Sequence, residues 1–268
     1  MIIGGRDFDT LGKCHIMGIL NVTPDSFSDG GQWGELDQAL WHAEDMIKCG
    51  ADIIDVGGES TRPGFVQISA SREIDRTVPV IEALVSRFDV PVSIDTYKAE
   101  VADAALGAGA ALLNDIWGFK HTSEMPKIVK KHGVACCLMH NRDNMNYGDF
   151  MTDLLSDLRE TLNIARSAGI PDDKIILDPG VGFAKTYEHN LEVINKLDML
   201  KELGCPVLLG ASRKSVIGLT LDLPVTQRVE GTLVTAVVGI MRGCSFVRVH
   251  DVLETKRAVM MTEAIVCN

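Results

Sequence analysis

The chain is poor in positive charge: 26 Lys and Arg stand against 37 Asp and Glu, for a formal net charge of −11. That balance argues against nucleic acid or an anionic membrane as a partner, because both demand a basic face. No apolar segment approaches the ~20 residues that span a bilayer. The opening Met1-Ile2-Ile3-Gly4-Gly5-Arg6 lacks the layout of a signal peptide, so a cytoplasmic location is the expectation. The seven cysteines (Cys14, Cys49, Cys136, Cys137, Cys205, Cys244 and Cys267) include no C-x-x-C pair and read as buried, reduced thiols. Neither H-x-H nor H-E-x-x-H occurs and the histidines are scattered, which disfavours zinc. There is no linker, low-complexity segment or charge run, which leaves one domain over residues 1–268.

What the chain does have is a repeated unit. Apolar runs at His15–Asn21, Asp52–Gly57, Pro91–Thr96, Ala111–Asp115, Gly133–His140, Lys174–Pro179, Pro206–Ser212 and Ser245–His250 predict strands. Between and after them, helical patterns cover Leu36–Cys49, Ser69–Phe88, Lys98–Gly107, Ser123–His132, Phe150–Ala168, Tyr187–Leu203, Thr226–Arg242 and Val252–Val266. Alternation of this kind implies a parallel sheet, and continuously apolar strands imply one covered on both faces. Eight units and no ninth predict an α/β fold of one kind, a single (β/α)₈ TIM barrel, whose usual length of about 250 residues the chain matches. Residues 1–14 read as a short N-terminal hairpin that plugs the barrel's amino end. Gly50, Gly109, Gly133, Gly169, Gly204 and Gly243 read as left-handed helix caps leading into the next strand.

Such barrels carry their chemistry at the carboxyl ends of the strands. There the runs end in Asn21, Asp55, Asp95, Asn114-Asp115, His140, Asp178, Ser212 and Arg248-Val249-His250. Arg62, Lys214, Arg248 and His250 converge on this rim and predict an anion pocket. Asp95, Asn114, Asp115 and Asp178 are costly there unless paired, and suit a metal, a heterocycle bearing adjacent N–H donors, or acid/base work; helix capping is the structural alternative for Asp95 and Asp115. Asn21 is an oxygen ligand suited to Mg²⁺, which takes few protein ligands beside substrate phosphate. Two long loops follow strand ends, Val22–Glu35 and Glu59–Ser69. In the first, Phe27 and Asp29 are placed either to close over a substrate or in a surface turn.

Taken together, Met17–Gly31, Gly57–Gly64 (Gly-Gly-Glu-Ser-Thr-Arg-Pro-Gly), Ser93–Thr96, Asn114-Asp115, Leu138–His140, Leu177–Phe183 (Leu-Asp-Pro-Gly-Val-Gly-Phe), Ser212–Ser215 and Arg248–Asp251 resemble the dihydropteroate synthase family, over nearly the whole chain and in the family's order. Ala184 departs from the pattern, where the family usually has Gly, and touches no chemical role.

The resemblance implies a barrel enzyme that joins 6-hydroxymethyl-7,8-dihydropterin diphosphate to 4-aminobenzoate, releasing 7,8-dihydropteroate and diphosphate in folate synthesis, with Mg²⁺ as cofactor. It implies that Asp95, Asn114, Met139, Asp178 and Lys214 recognise the pterin. Asn21, Arg248 and His250 would hold the diphosphate, with the metal on Asn21. Thr61, Arg62, Pro63, Phe183, Lys214 and Ser215 would hold 4-aminobenzoate, where sulfonamides bind in the family. Asp95 and Lys214 would act in catalysis, and Phe27 and Asp29 would cover a cationic intermediate formed by dissociative loss of diphosphate. Asp55 and Asp115 would be structural. The family also implies a homodimer, for which the Thr226–Arg242 helix, apolar around most of its circumference, is the candidate face.

Three other readings fit less well. A pterin-binding methyltransferase has no need of Thr61-Arg62-Pro63 or Ser212-Arg213-Lys214. A catalytically dead binding protein would have lost Asn21, Asp95, Lys214 or His250. A Schiff-base aldolase wants a desolvated lysine within a strand, whereas Lys214 reads as an exposed loop donor.

Overall fold

The computed structural model describes residues 1–23, 31–59 and 67–266, with Gly31, Gln32, Trp33 and Glu35 described in backbone only. After a hairpin of β1 (Ile2–Ile3) and β2 (Arg6–Asp7), eight strands form one parallel sheet: β3 (His15–Asn21), β4 (Ile53–Gly57), β5 (Val92–Asp95), β6 (Leu112–Asp115), β7 (Ala135–Met139), β8 (Ile175–Asp178), β9 (Leu208–Leu209) and β10 (Phe246–Val249). Their order is β8-β7-β6-β5-β4-β3-β10-β9, and a parallel bridge between Leu177 and Val207 joins the two ends. The sheet is thereby a barrel, the predicted (β/α)₈ fold.

The helices are α1 (Gly31–Lys48), α2 (Ala70–Arg87), α3 (Ala99–Gly107), α4 (Met125–His132), α5 (Phe150–Ser167), α6 (Tyr187–Asn195), α7 (Ser215–Leu221), α8 (Val229–Met241) and α9 (Val252–Val266). All six glycines expected as caps have positive φ, from 66° at Gly133 to 107° at Gly109. Ser69 caps α2 and Asp149 caps α5, each accepting from a backbone N–H in the first turn.

Five expectations need correction. Helix α1 begins at Gly31, inside the stretch read as the Val22–Glu35 loop, and not at Leu36. The Tyr187–Leu203 pattern is α6 followed by a 3₁₀ turn over Leu197–Leu203. The Pro206–Ser212 run pairs as a strand only at Leu208–Leu209. Residues after Arg213 form α7, an extra short helix, so Lys214 is the residue that precedes a helix and not a mid-loop position. Neither Asp95 nor Asp115 caps a helix: α3 starts after Lys98, and Asp115 accepts instead from Trp117 N and Phe119 N, at 2.9 and 2.7 Å, inside a turn.

Alternation along the strands sorts the barrel interior into layers. Ile3 and Phe8 of the lead-in pack with Met17, Ile53, Leu112, Cys137, Ile176 and Phe246, an apolar floor at the amino end. The hairpin therefore is the plug that the sequence suggests. Two residues further along each strand, on the same face, stand Asp55, Asn114, Met139, Asp178 and Arg248. Asp115 and His140 have the opposite parity and face the helices. Five cysteines are buried and Cys49 is half-buried, all as free thiols; Cys267 lies outside the described residues.

Candidate active site

Register lines up the rim. Asn21 pairs with Gly57, Gly57 with Asp95, and Asp95 with Asn114, one row across four strands. Met139 pairs with Asp178 on the far side. Gly57 lies between the two polar tips: a Cβ there would be in contact with Asn21 Oδ1 at 3.5 Å and Asp95 Oδ2 at 3.9 Å.

Arg248 stands at the centre. Its Nε donates to Asp55 Oδ2 and its Nη2 to Asp95 Oδ2, both at 2.6 Å. Asn114 Nδ2 donates to the same Asp55 oxygen at 3.2 Å. Neither contact engages Nη1. Asp55 was expected only as structural support; it lies fully buried inside the site, and what it supports is the guanidinium. A signal was available, since Asp55 follows Ile53 of the apolar floor by two residues, the spacing that also separates Phe246 from Arg248 and Ile176 from Asp178.

The carboxylates are held under stress. Burial pushes Asp95 up to about 7, against the pull of Arg248, and raises Asp178 as well, against Lys214 and the Gly180 N–H. Asp55 Oδ1, Asp95 Oδ1 and Ser93 Oγ are buried with no hydrogen-bond partner among the described residues. Unpaired acceptors in one well are costly and mark where a donor from outside belongs.

Asp178 is reached from two other sides. Gly180 N–H donates to its Oδ1 at 2.7 Å, and a Cβ on Gly210 would stand 3.4 Å from its Oδ2 and 3.9 Å from Arg248 Cβ. Asp178 and Arg248 thus face each other across Gly210. Lys214 runs its stem along Gly182, donates to Val181 O, and holds its ammonium 4.8 Å from the centre of the Phe183 ring. The expectation of an exposed donor is corrected: Lys214 is partly buried, and burial lowers its ammonium to about 8. Met139, 3% exposed, packs with Tyr97 and Ile116, with Phe183 and Trp117 against them, an apolar wall beside the polar row. His250 follows Arg248 by two residues, and its Nδ1 lies 3.0 Å from Ser212 Oγ. Ser215 opens α7 and is exposed.

The structure thus brings together Asn21, Asp95, Asn114, Asp178 and Arg248, with Met139, Phe183 and Lys214 on one flank. Phe27, Asp29, Thr61, Arg62 and Pro63 lie outside the described residues. Sequence reasoning named His140 as a strand tip but missed its partners behind the rim, Asp157 and Lys185, linked to it by hydrogen bonds. Lys185 directly follows the Asp178–Ala184 stretch, the one sequence signal that pointed to it.

An arrangement of this kind can hold a flat heterocycle by its N–H edge, and an anion by the guanidinium and imidazole. Among the described residues no three His, Cys, Asp or Glu gather to hold a metal. The Asn21 amide oxygen, with Asp95 across Gly57, is a sparse oxygen set that fits Mg²⁺ shared with a phosphate and does not fit zinc.

A family model described as pterin binding enzyme matches residues 17–250. The dihydropteroate synthase of Clostridium beijerinckii is 60% identical over 267 residues, covering 99% of both chains. A crystal structure of dihydropteroate synthase from Clostridium difficile in the presence of pteroic acid superposes with a TM-score of 0.95, at 49% identity over 98% of this chain and 100% of that one. The Yersinia pestis enzyme in complex with a sulfonamide drug gives a TM-score of 0.91 at 44% identity, over 99% and 98%.

Proposed function

This chain belongs to the dihydropteroate synthases, pterin binding enzymes that form a C–N bond, and on that premise we propose that it joins 6-hydroxymethyl-7,8-dihydropterin diphosphate to 4-aminobenzoate by dissociative loss of diphosphate. The observation that supports this most is the pairing of acceptors with a cation around one well: Asp55 and Asp95 each hold Arg248 by one oxygen and leave the other without a partner among the described residues, and Asp178 stands across Gly210 from Arg248.

In this reading the guanidine-like edge of the dihydropterin donates to Asp178 and Asp95, Asn114 completes the edge, and Lys214 donates to the ring acceptors. Met139 lies against the ring face. Arg248 and His250 hold the diphosphate, Arg248 through nitrogens not spent on Asp55 and Asp95. Asn21 would hold Mg²⁺, which supplies neutralising charge to the leaving oxygens when bound. As diphosphate leaves, the pterin methylene becomes cationic, and the site acts by fixed charge and by exclusion of water. The aniline nitrogen then attacks unaided by a strong base. Phe183, Lys214 and Ser215 border the benzoate, together with Thr61, Arg62 and Pro63; Phe27 and Asp29 cover the cation. Sulfonamides compete for the same place.

The test is diphosphate release measured with each component omitted in turn. Release that requires the pterin diphosphate and Mg²⁺ and is strongly stimulated by 4-aminobenzoate is expected, and chelation abolishes it. Release that 4-aminobenzoate does not stimulate, or methyl transfer from a methylated folate, would overturn the assignment.

We also propose a homodimer. Val234 and Met241 on α8 and Met260, Met261 and Ile265 on α9 are each about 60% exposed, on two helices packed side by side. Apolar area of that kind on adjacent helices marks an interface. Sedimentation is expected to show a dimer that Val234→Glu converts to monomer; a monomer for the unmodified protein at micromolar concentration refutes it. No helix among the described residues is long and apolar enough to cross a membrane.

A further inference from the structure

Behind the rim, between β7 and α5, lies a line of titratable groups, two of them buried, that the proposed reaction does not use. His140 is 2% exposed; its Nε2 lies 2.9 Å from Asp157 Oδ2, and its Nδ1 lies 2.9 Å from Lys185 Nζ. Burial lowers the imidazole to about 4, so the ring is neutral near pH 7. Its tautomer follows from the partners: Nε2–H donates to Asp157, and Nδ1 accepts from the ammonium. Lys185 also donates to Phe183 O at 3.0 Å, and Arg142 Nε donates to Asp157 Oδ2 at 2.5 Å.

Lys185 is 8% exposed, yet it makes no ion pair among the described residues. Lys98, half-buried, shows what an ion-paired ammonium looks like in this fold, with Glu59 and Glu73 each at 2.7 Å. The acceptors of Lys185 are a neutral ring and a carbonyl. A buried ammonium so placed is costly unless its charge acts on something further away. The Gly180 turn lies close by and identifies what. A Cβ on Gly180 would stand 3.3 Å from Lys185 Nζ, and the Gly180 N–H is the donor to Asp178.

We propose that Lys185 is a positioning residue for pterin recognition: from beneath the Gly180 turn its charge keeps Asp178 in the carboxylate form that the substrate's N–H donors require, while His140 and Asp157 hold the ammonium in place. The inference rests on the reading of Asp178 as the pterin acceptor.

The charges around the pair settle the direction of the effect. Asp178 is faced by Lys214 from the connection before α7, by the Gly180 N–H, by Lys185, and by Arg248 from β10, all of which favour the carboxylate against burial. Lys185 is faced by Asp178 and Asp157, which favour the cation, and by Lys214 and Arg142, which oppose it; burial dominates and lowers it to about 7. The carboxylate is lost as pH falls, and the Lys185 cation is lost as pH rises through about 7. Without Lys185, therefore, the acid-side loss of pterin binding begins at higher pH. The deficit fades above neutrality, where Lys185 in the unmodified protein has given up its proton.

The test is titration of 6-hydroxymethylpterin by fluorescence quenching into the full chain. Lys185→Met is expected to bind about tenfold more weakly at about pH 6, and within about twofold of the unmodified protein at about pH 8.5. Equal affinity at both pH values, or an equal loss at both, overturns the proposal; the second result is what a purely structural role gives. Asp157→Asn keeps Lys185 but removes its anion. It should weaken binding most near pH 7, where the lysine then gives up its proton early, and an unchanged profile counts against the proposal. If the unmodified protein fails to bind the pterin at every pH, the pocket assignment falls and takes this inference with it.

Discussion

In an Asp178→Asn variant, kcat/KM for the pterin diphosphate is expected to fall roughly a thousandfold, while the protein stays folded. Two hydrogen bonds to a carboxylate are worth about 1.5–3 kcal/mol each, and a loss of about 4 kcal/mol is three decades. An amide offers one acceptor and one donor, so one substrate N–H would also face an N–H. Folding escapes because the site sacrifices stability to keep this charge: burial raises the Asp178 carboxyl, and a neutral isostere relieves that cost. The Gly180 N–H still finds an oxygen to bond. Steady-state kinetics with a thermal melt decide the matter. Loss of activity together with loss of the fold, or retained activity, would remove Asp178 from the substrate's edge.

Arg248→Ala should do the opposite to stability. It strips from Asp55 and Asp95 the cation that pairs with both, and breaking a buried pair in this way costs about 3–5 kcal/mol. The loss depends on pH. Asp95 is already raised to about 7 with the arginine present, and above its unfolded value of 3.8. A carboxyl raised in the folded state binds its proton more tightly there than in the unfolded chain, so stability declines as pH rises from about 4 to about 7. Removing Arg248 raises Asp95 further and widens that window. Melting curves should therefore show a larger deficit at about pH 8 than at about pH 5. Adding Asp95→Asn should restore part of it. Turnover is expected to drop with the loss of the diphosphate's cation, and unchanged affinity for the diphosphate substrate would mean that Arg248 is not part of the anion site.

The barrel was legible because burial on both faces of a parallel strand leaves an apolar run, and each run stops where the strand meets the rim. β3 and α9 coincide with their sequence patterns to the residue. α7 was not legible: seven residues, Gly218 among them, are too few to show a helical period. The run after Pro206 looked like a full strand, but the ladder holds only at Leu208–Leu209 and ends before Gly210, which passes close to Asp178. Asp95, Asn114, Asp178 and Arg248 were legible as strand tips. Asp55 was legible as a strand tip too, but its place inside the site was not, and only the two-residue spacing from Ile53 marks its inward face. The His140–Lys185 contact spans 45 residues and joins a strand end to a loop. No local pattern encodes such a meeting; it exists only once the barrel has closed.

Cys136 and Cys137 sit side by side in β7, one against the helices and one in the apolar floor, and both are wholly buried with their thiols pushed well up by burial. A maleimide or disulfide reagent can reach them only when the strands part. Their modification rate is consequently a built-in clock for opening of the whole barrel, with half-buried Cys49 as the fast hand. Any ligand that fills the rim should slow the first and leave the second alone.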